Sequence, residues 1–190
     1  MKKINRAMNI YIFLAGFIGL SISSVAQTPE TLTQKQIDRT RTVYTEITIN
    51  ASPKVVRAKF LEFEKWPEWN TVIPYIAVIS GDINDLATEP ALELTLDFGR
   101  KKDPQMAPVK PKVVINNDMR FVWGLYNGFI LKAEHVFIFE PTDNGKGTHL
   151  IHYEKMNGML SPIFITKKVS ANMYQSYNLM NESLKHICEQ

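Results

Sequence analysis

From Ser161 to Ile187 apolar residues return every three or four positions, at Ile165, Val169, Met173, Tyr177, Met180, Leu184 and Ile187. One stripe on a 3.6-residue period predicts a long amphipathic helix. Ser161 suits its N-cap, and Pro162 suits the first helical position, where a missing N–H costs nothing. Lys167, Lys168, Gln175, Asn178, Glu182 and Lys185 fall on the other side and are expected to face water, with Phe164 off the stripe. A one-sided helix needs a surface to lie on. Met173 and Met180 are either core packing against that surface or an adaptable wall facing a ligand, since Met side chains repack easily.

The preceding hundred residues read mostly as strands. Val43 to Ile49 alternates, with Val43, Ile47 and Ile49 opposite Tyr44, Glu46 and Thr48. Ser52-Pro53 then opens a helix whose apolar face is Val55, Val56, Phe60 and Phe63, and which is expected to end near Trp66-Pro67. Glu68-Trp69-Asn70 starts a second short helix or turn, and both tryptophans are expected to be largely buried. Strands follow at Tyr75–Ser80 and Ala91–Phe98, where Leu92, Leu94, Leu96 and Phe98 oppose Glu93, Thr95 and Asp97. After a loop over 99–108 comes Val109–Ile115, where Pro111 suggests a sheet edge. Arg120–Tyr126, Phe129–Glu140 and Gly147–Lys155 complete the set, the first two joined at Asn127-Gly128, a hairpin signal. A strict two-residue turn there would set Trp123 opposite Lys132, whereas Ala133, His135, Phe137 and Phe139 look like the buried side. A longer loop, or a bulge at Gly124, restores the parity. The predicted architecture is α+β: a curved antiparallel sheet of seven strands, one apolar face covered by the terminal helix, and two short helices closing an end. A sheet that grips one helix tends to leave a cavity between them, a usual place for small-molecule sites.

Composition changes the picture at the N-terminus. The chain has 190 residues and is 45% apolar, a globular composition sufficient for one core. Lys2, Lys3 and Arg6 precede a short apolar stretch, Met8 to Ile22, and Ser24-Val25-Ala26 offers small residues at a cleavage site. Residues 1–26 therefore read as a secretory signal peptide cut after Ala26, with an uncleaved anchor as the alternative. Residues 27–42 read as a polar tether and 43–190 as the domain. The 22 basic and 19 acidic residues of the whole chain become 19 and 19 after cleavage, because residues 1–26 hold three basic side chains and no acidic one. The basic balance thus belongs to the precursor, and no nucleic-acid partner is expected. Arg100-Lys101-Lys102 reads as a solvated loop. The mature chain is expected to be periplasmic or secreted, without stable membrane insertion. Cys188 is the single cysteine, which excludes an internal disulfide, and it reads as inert. No metal site and no cofactor are expected.

These stretches resemble a known family. Ala51-Ser52-Pro53, Trp66-Pro67-Glu68-Trp69-Asn70, Trp123, the run His135 to Pro141, and Gly147-Thr148 with Leu150, His152, Glu154 and Gly158 are similar to the SRPBCC superfamily. Met180-Asn181 and Leu184-Lys185 fit it too. The superfamily has the helix-grip fold of the birch-pollen allergen, the steroidogenic acute regulatory lipid-transfer domains and the polyketide cyclase/dehydrase group. The resemblance spans residues 43–188 and implies a cavity for a hydrophobic small molecule, without implying an enzyme.

His135 and His152 fall on neighbouring strands, and Glu154 shares a face with His152. Such a cluster could act as a general acid–base set on a carbonyl substrate, orient a ligand's head group, or form a structural network satisfied by its own members. The apolar candidates for the cavity wall are Phe60, Trp69, Leu94, Leu96, Trp123, Phe137, Met173, Tyr177 and Met180. The reading favoured is an exported binding or carrier protein for a lipid, isoprenoid or aromatic polyketide. The alternatives are a cyclase- or dehydratase-like enzyme using His135, His152 and Glu154, and an envelope interaction domain with no ligand.

Overall fold

Val43, Thr45 and Ile49 turn inward from the first strand, β1 (Thr42–Ile49), while Glu46 and Thr48 face water. This alternation, repeated through the chain, sets which face of the sheet carries the core. The computed structural model describes residues 42–96 and 108–190, which lie in one compact unit. The expected signal peptide, the tether up to residue 41, Phe98, the Arg100-Lys101-Lys102 run and Pro104 lie outside the described residues. The remaining strands are β2 (Tyr75–Ser80), β3 (Ala91–Thr95), β4 (Lys112–Asn116), β5 (Arg120–Asn127), β6 (Leu131–Thr142) and β7 (Gly147–Asn157). They form one seven-stranded antiparallel sheet in the order β1-β7-β6-β5-β4-β3-β2.

Four expectations are corrected. The Ser161–Ile187 helix is two helices, α3 (Ser161–Phe164) and α4 (Lys167–Cys188). Ser161 is the first residue of α3, and the cap of the long helix is Thr166, whose hydroxyl accepts the Val169 N–H at 3.3 Å. Thr166 competes with the helix for backbone hydrogen bonds, so the apolar stripe continues across a break that periodicity does not register. The Ser52-Pro53 helix, α1 (Pro53–Leu61), ends before Trp66-Pro67, and its Val55 faces solvent while Val56 and Phe60 are buried. A 3₁₀ turn, Phe63–Lys65, then leads to α2 (Trp66–Trp69). Trp66 is fully buried, but Trp69 is only half-buried. Finally, Pro111 does not mark an edge. The edges are β1 and β2, and Pro111 lies between the Leu94–Val109 bridge and β4, where its carbonyl accepts the Leu92 N–H and only the return N–H bond is missing.

The β5–β6 parity conflict resolves through a longer loop. Asn127 pairs with Leu131, so Gly128-Phe129-Ile130 form the turn, and Trp123 lies opposite His135. Gly128 supplies the left-handed backbone this turn requires, at φ +52°. The core is aromatic. Phe60 of α1 meets the rings of Phe121, Phe137 and Phe139 on the sheet and Trp66 of α2, with centroids 4.5–5.5 Å apart. Met180 and Leu184, in the C-terminal half of α4, close this end. The N-terminal half of α4 meets a separate small cluster of Val43, Ile165, Met173 and Tyr177.

Candidate functional site

Between the N-terminal half of α4 and the sheet lies a cavity of about 460 Å³. Small-molecule sites run roughly 300–1,000 Å³. Its walls come from three directions. Ile165, Val169, Met173 and Tyr177 descend from α3–α4, Leu94 and Leu96 with Val109 and Pro111 close one side, and Leu125, Leu131, Ala133 and Met156 line the hairpin end. Val72 and Ile73 enter because the buried Asn70 side chain accepts both of their N–H groups, at 3.1 and 3.0 Å, and bends the chain after α2. The Trp66 indole secures the same corner by donating to the Phe60 carbonyl at 2.7 Å. The polar side chains on the cavity wall are His135, Glu154 and Tyr177.

The predicted site residues divide between the cavity and the closed core. Leu94, Leu96, Trp123, His135, Met173 and Tyr177 line the cavity, with Glu154. Phe60, Trp69, Phe137, His152 and Met180 are absent from its lining; Phe60, Phe137 and Met180 are in the buried core, with Trp69 packed against it. His152 is fully buried behind the wall, its ring stacked on Phe137, Tyr177 and His135 at centroid distances of 4.3–4.7 Å. Period-2 alternation names the face of a strand but not the depth along it, so it cannot say where packing stops and space begins. Asn181 and Thr45 are both buried; the sequence offered Asn181 only within the family resemblance, with no part in the site, because a polar residue beside an apolar stripe ordinarily faces water, and it did not offer Thr45.

Those two residues fix the protons of the site. The Thr45 hydroxyl donates to the His152 carbonyl at 3.0 Å, so it accepts from the Asn181 amide nitrogen, also at 3.0 Å. The Asn181 amide oxygen then faces His152 Nδ1 at 2.7 Å, and that nitrogen must carry a hydrogen. Flipping the amide would forfeit the bond from Thr45 to the carbonyl. With Nδ1 protonated, neutral His152 offers a lone pair at Nε2, 2.5 Å from Nε2 of His135. His135 therefore donates from Nε2, and its Nδ1 is left as a bare lone pair, 3.9 Å from a Glu154 carboxylate oxygen. Tyr177 donates its hydroxyl to the same carboxylate oxygen.

Burial sets the charge of each group. It pushes His152 down to about 3, outweighing the Asn181 hydrogen bond, and holds His135 well below the usual imidazole range, helped by His152. Both rings are neutral at pH 7. Burial also lifts the Glu154 carboxyl to about 7, against the lowering effect of the Tyr177 hydrogen bond. Burial raises the Tyr177 phenol well above its ordinary value, helped by the Glu154 charge. No group of three or more His, Cys, Asp or Glu able to hold a metal ion exists among the described residues.

This architecture is shared by several solved structures. A START superfamily protein from Mycobacterium smegmatis is 18% identical, with a TM-score of 0.61, over 78% of this chain and 97% of that one. The Zhui aromatase/cyclase from Streptomyces sp. R1128 is 10% identical, with a TM-score of 0.61, over 78% of this chain and 93% of that one. Ara h 8.0201 is 14% identical, with a TM-score of 0.57, over 77% and 96%. The chain has the helix-grip fold. No family model and no curated protein matches the sequence. The helix-grip framework explains why a cavity lies beneath the terminal helix; the chemistry of this one rests on its own side chains.

Proposed function

We propose that this helix-grip protein binds and carries a hydrophobic small molecule in the cavity between sheet and helix. The supporting observation is the cavity itself, about 460 Å³, with mostly apolar walls and three polar side chains. A lipid, isoprenoid or aromatic polyketide would bury its apolar body against Leu94, Leu125, Met156 and Met173. The START superfamily and aromatase/cyclase names of two structural relatives are in keeping with such a ligand. We further propose that the chain is exported and loses residues 1–26. Among the described residues no helix is long and apolar enough to cross a membrane.

Native mass spectrometry of the protein recovered without detergent from a bacterial envelope, paired with a Nile red fluorescence titration, tests the carrier reading. A reproducible adduct lost on denaturation, or saturable dye binding, supports it. Protein that carries no adduct and leaves the dye's emission unchanged contradicts it.

One observation favours a second reading, a cyclase- or dehydratase-like enzyme. A carboxyl near pKa 7 beside an imidazole lone pair is suited to proton transfer at neutral pH. His152 has no direct part in it, because both of its ring nitrogens are engaged. On this reading Glu154→Gln would lower turnover of a polyketide-like ketone by at least ~100-fold while dye binding persists. Retained turnover would exclude the role.

A further inference from the structure

Resting on the carrier reading, we infer that the ligand carries a neutral hydroxyl, seated between His135 Nδ1 and the Glu154 carboxyl, and that acidic lipids are rejected. Thr45, Asn181, His152 and His135 form one directed chain, and every donor in it points away from the cavity. Its last member presents a lone pair to the cavity wall. His135 Nδ1 stands 3.9 Å from the Glu154 carboxylate oxygen, beyond hydrogen-bond reach, and the side chain is only 7% exposed. Trp123 and Phe137 pack on the ring, at centroid distances of 4.8 and 4.9 Å. Nδ1 is on the cavity side of the ring, so it takes its donor from whatever fills the cavity, and a ligand that displaces water there without replacing that donor loses the bond.

Charge narrows the class. Among the described residues the cavity lining contains no Lys or Arg, and His135 is held neutral by burial. An anionic head group would meet the Glu154 carboxyl with no cation among the described lining residues to offset it, and burying an unpaired charge is strongly unfavourable. A hydroxyl meets none of these penalties. It donates to His135 Nδ1 and accepts from Glu154 when that carboxyl is protonated. Ether oxygens can only accept, so an ether leaves the imidazole lone pair unmet. Thr45, Asn181 and His152 act as positioning residues that keep the lone pair aimed outward.

The test is competition against Nile red on the full chain at pH 7, with 1-dodecanol, 1-methoxydodecane, dodecanoate and dodecylamine. The expected result is displacement by dodecanol at concentrations about tenfold lower than by the ether, and still lower relative to dodecanoate. His135→Phe should erase the advantage of the alcohol over the ether. The wild-type ranking stands whether or not that variant folds. Equal binding of all four, or a preference for dodecanoate or dodecylamine, overturns the hydroxyl inference and leaves the carrier reading standing. A protein that binds neither the dye nor any competitor overturns both. Long-range ¹H–¹⁵N NMR gives an independent check, because His135 must be protonated at Nε2. An imidazole protonated at Nδ1 would overturn the directed relay.

Discussion

At the scale of single residues, the site is governed by three buried groups whose titration opposes one another. Glu154 is raised from 4.5 to about 7 in the folded protein. Between those values the folded state holds more protons than the unfolded, so ionisation of Glu154 lowers stability as pH rises through this window. His152 and His135 are lowered, from 6.5, so below that pH the unfolded state gains protons that the folded state refuses. Their effect is to lower stability as pH falls. Glu154 faces His135 from β6 and Tyr177 from α4. Glu154→Gln removes the first effect and leaves the other two. The variant should match wild type near pH 4.5 and gain on it by about 1 kcal/mol per pH unit up to pH 7, in urea denaturation. A difference that does not change with pH would mean that Glu154 titrates normally. Glu154, His135 and Tyr177 were readable from sequence, because alternation in the strands and the 3.6-residue stripe in the helix place them on inward faces. The remainder of the relay was not, since nothing local distinguishes Asn181 from the solvent-facing Asn or Glu residues of the same helix.

At the scale of elements, the cavity depends on how β7 passes into the terminal helices. Gly158 turns the chain at φ +111°, and a Cβ there would come within 2.5 Å of the Ile130 carbonyl oxygen. That contact is backbone and cannot swing aside. Gly158→Ala should therefore destabilise the protein by roughly 1–3 kcal/mol in urea denaturation. An unchanged midpoint would show that the junction yields easily. The next residues hold the β5–β6 turn, with Met159 and Leu160 donating to the Phe129 and Ile130 carbonyls. Thr166 then restarts the helix, and Thr166→Ala should cost about 1 kcal/mol through loss of the cap. The sequence pattern supplied all seven strands and the α4 stripe, because hydrophobic periodicity is a property of each element alone. It ran straight through the Ile165–Thr166 break and mistook Pro111 for an edge, since both depend on tertiary partners. The cap competes with a continuous helix, and strand order decides which N–H groups the ladder needs.

At the scale of the molecule, the fold divides the space under α4 into a filled half and an empty half. Phe60, Phe137, Met180 and Leu184 fill one, and Ala133 is the small side chain that keeps the other open. Ala133→Trp should abolish Nile red binding while the thermal midpoint holds or rises, because the added ring occupies space rather than displacing neighbours. Dye binding that survives the substitution would place the dye elsewhere. Export belongs to this scale as well. N-terminal sequencing of protein from the periplasm should begin at Gln27, and a cytoplasmic product beginning at residue 1 would contradict the proposal. The most direct test of the central claim is a methyl NMR titration of the protein with Nile red. Ring-current shifts are expected at Ala133, Met156 and Met173, which line the cavity, and none at exposed Met119. Shifts confined to surface methyls, or none at all, would contradict it.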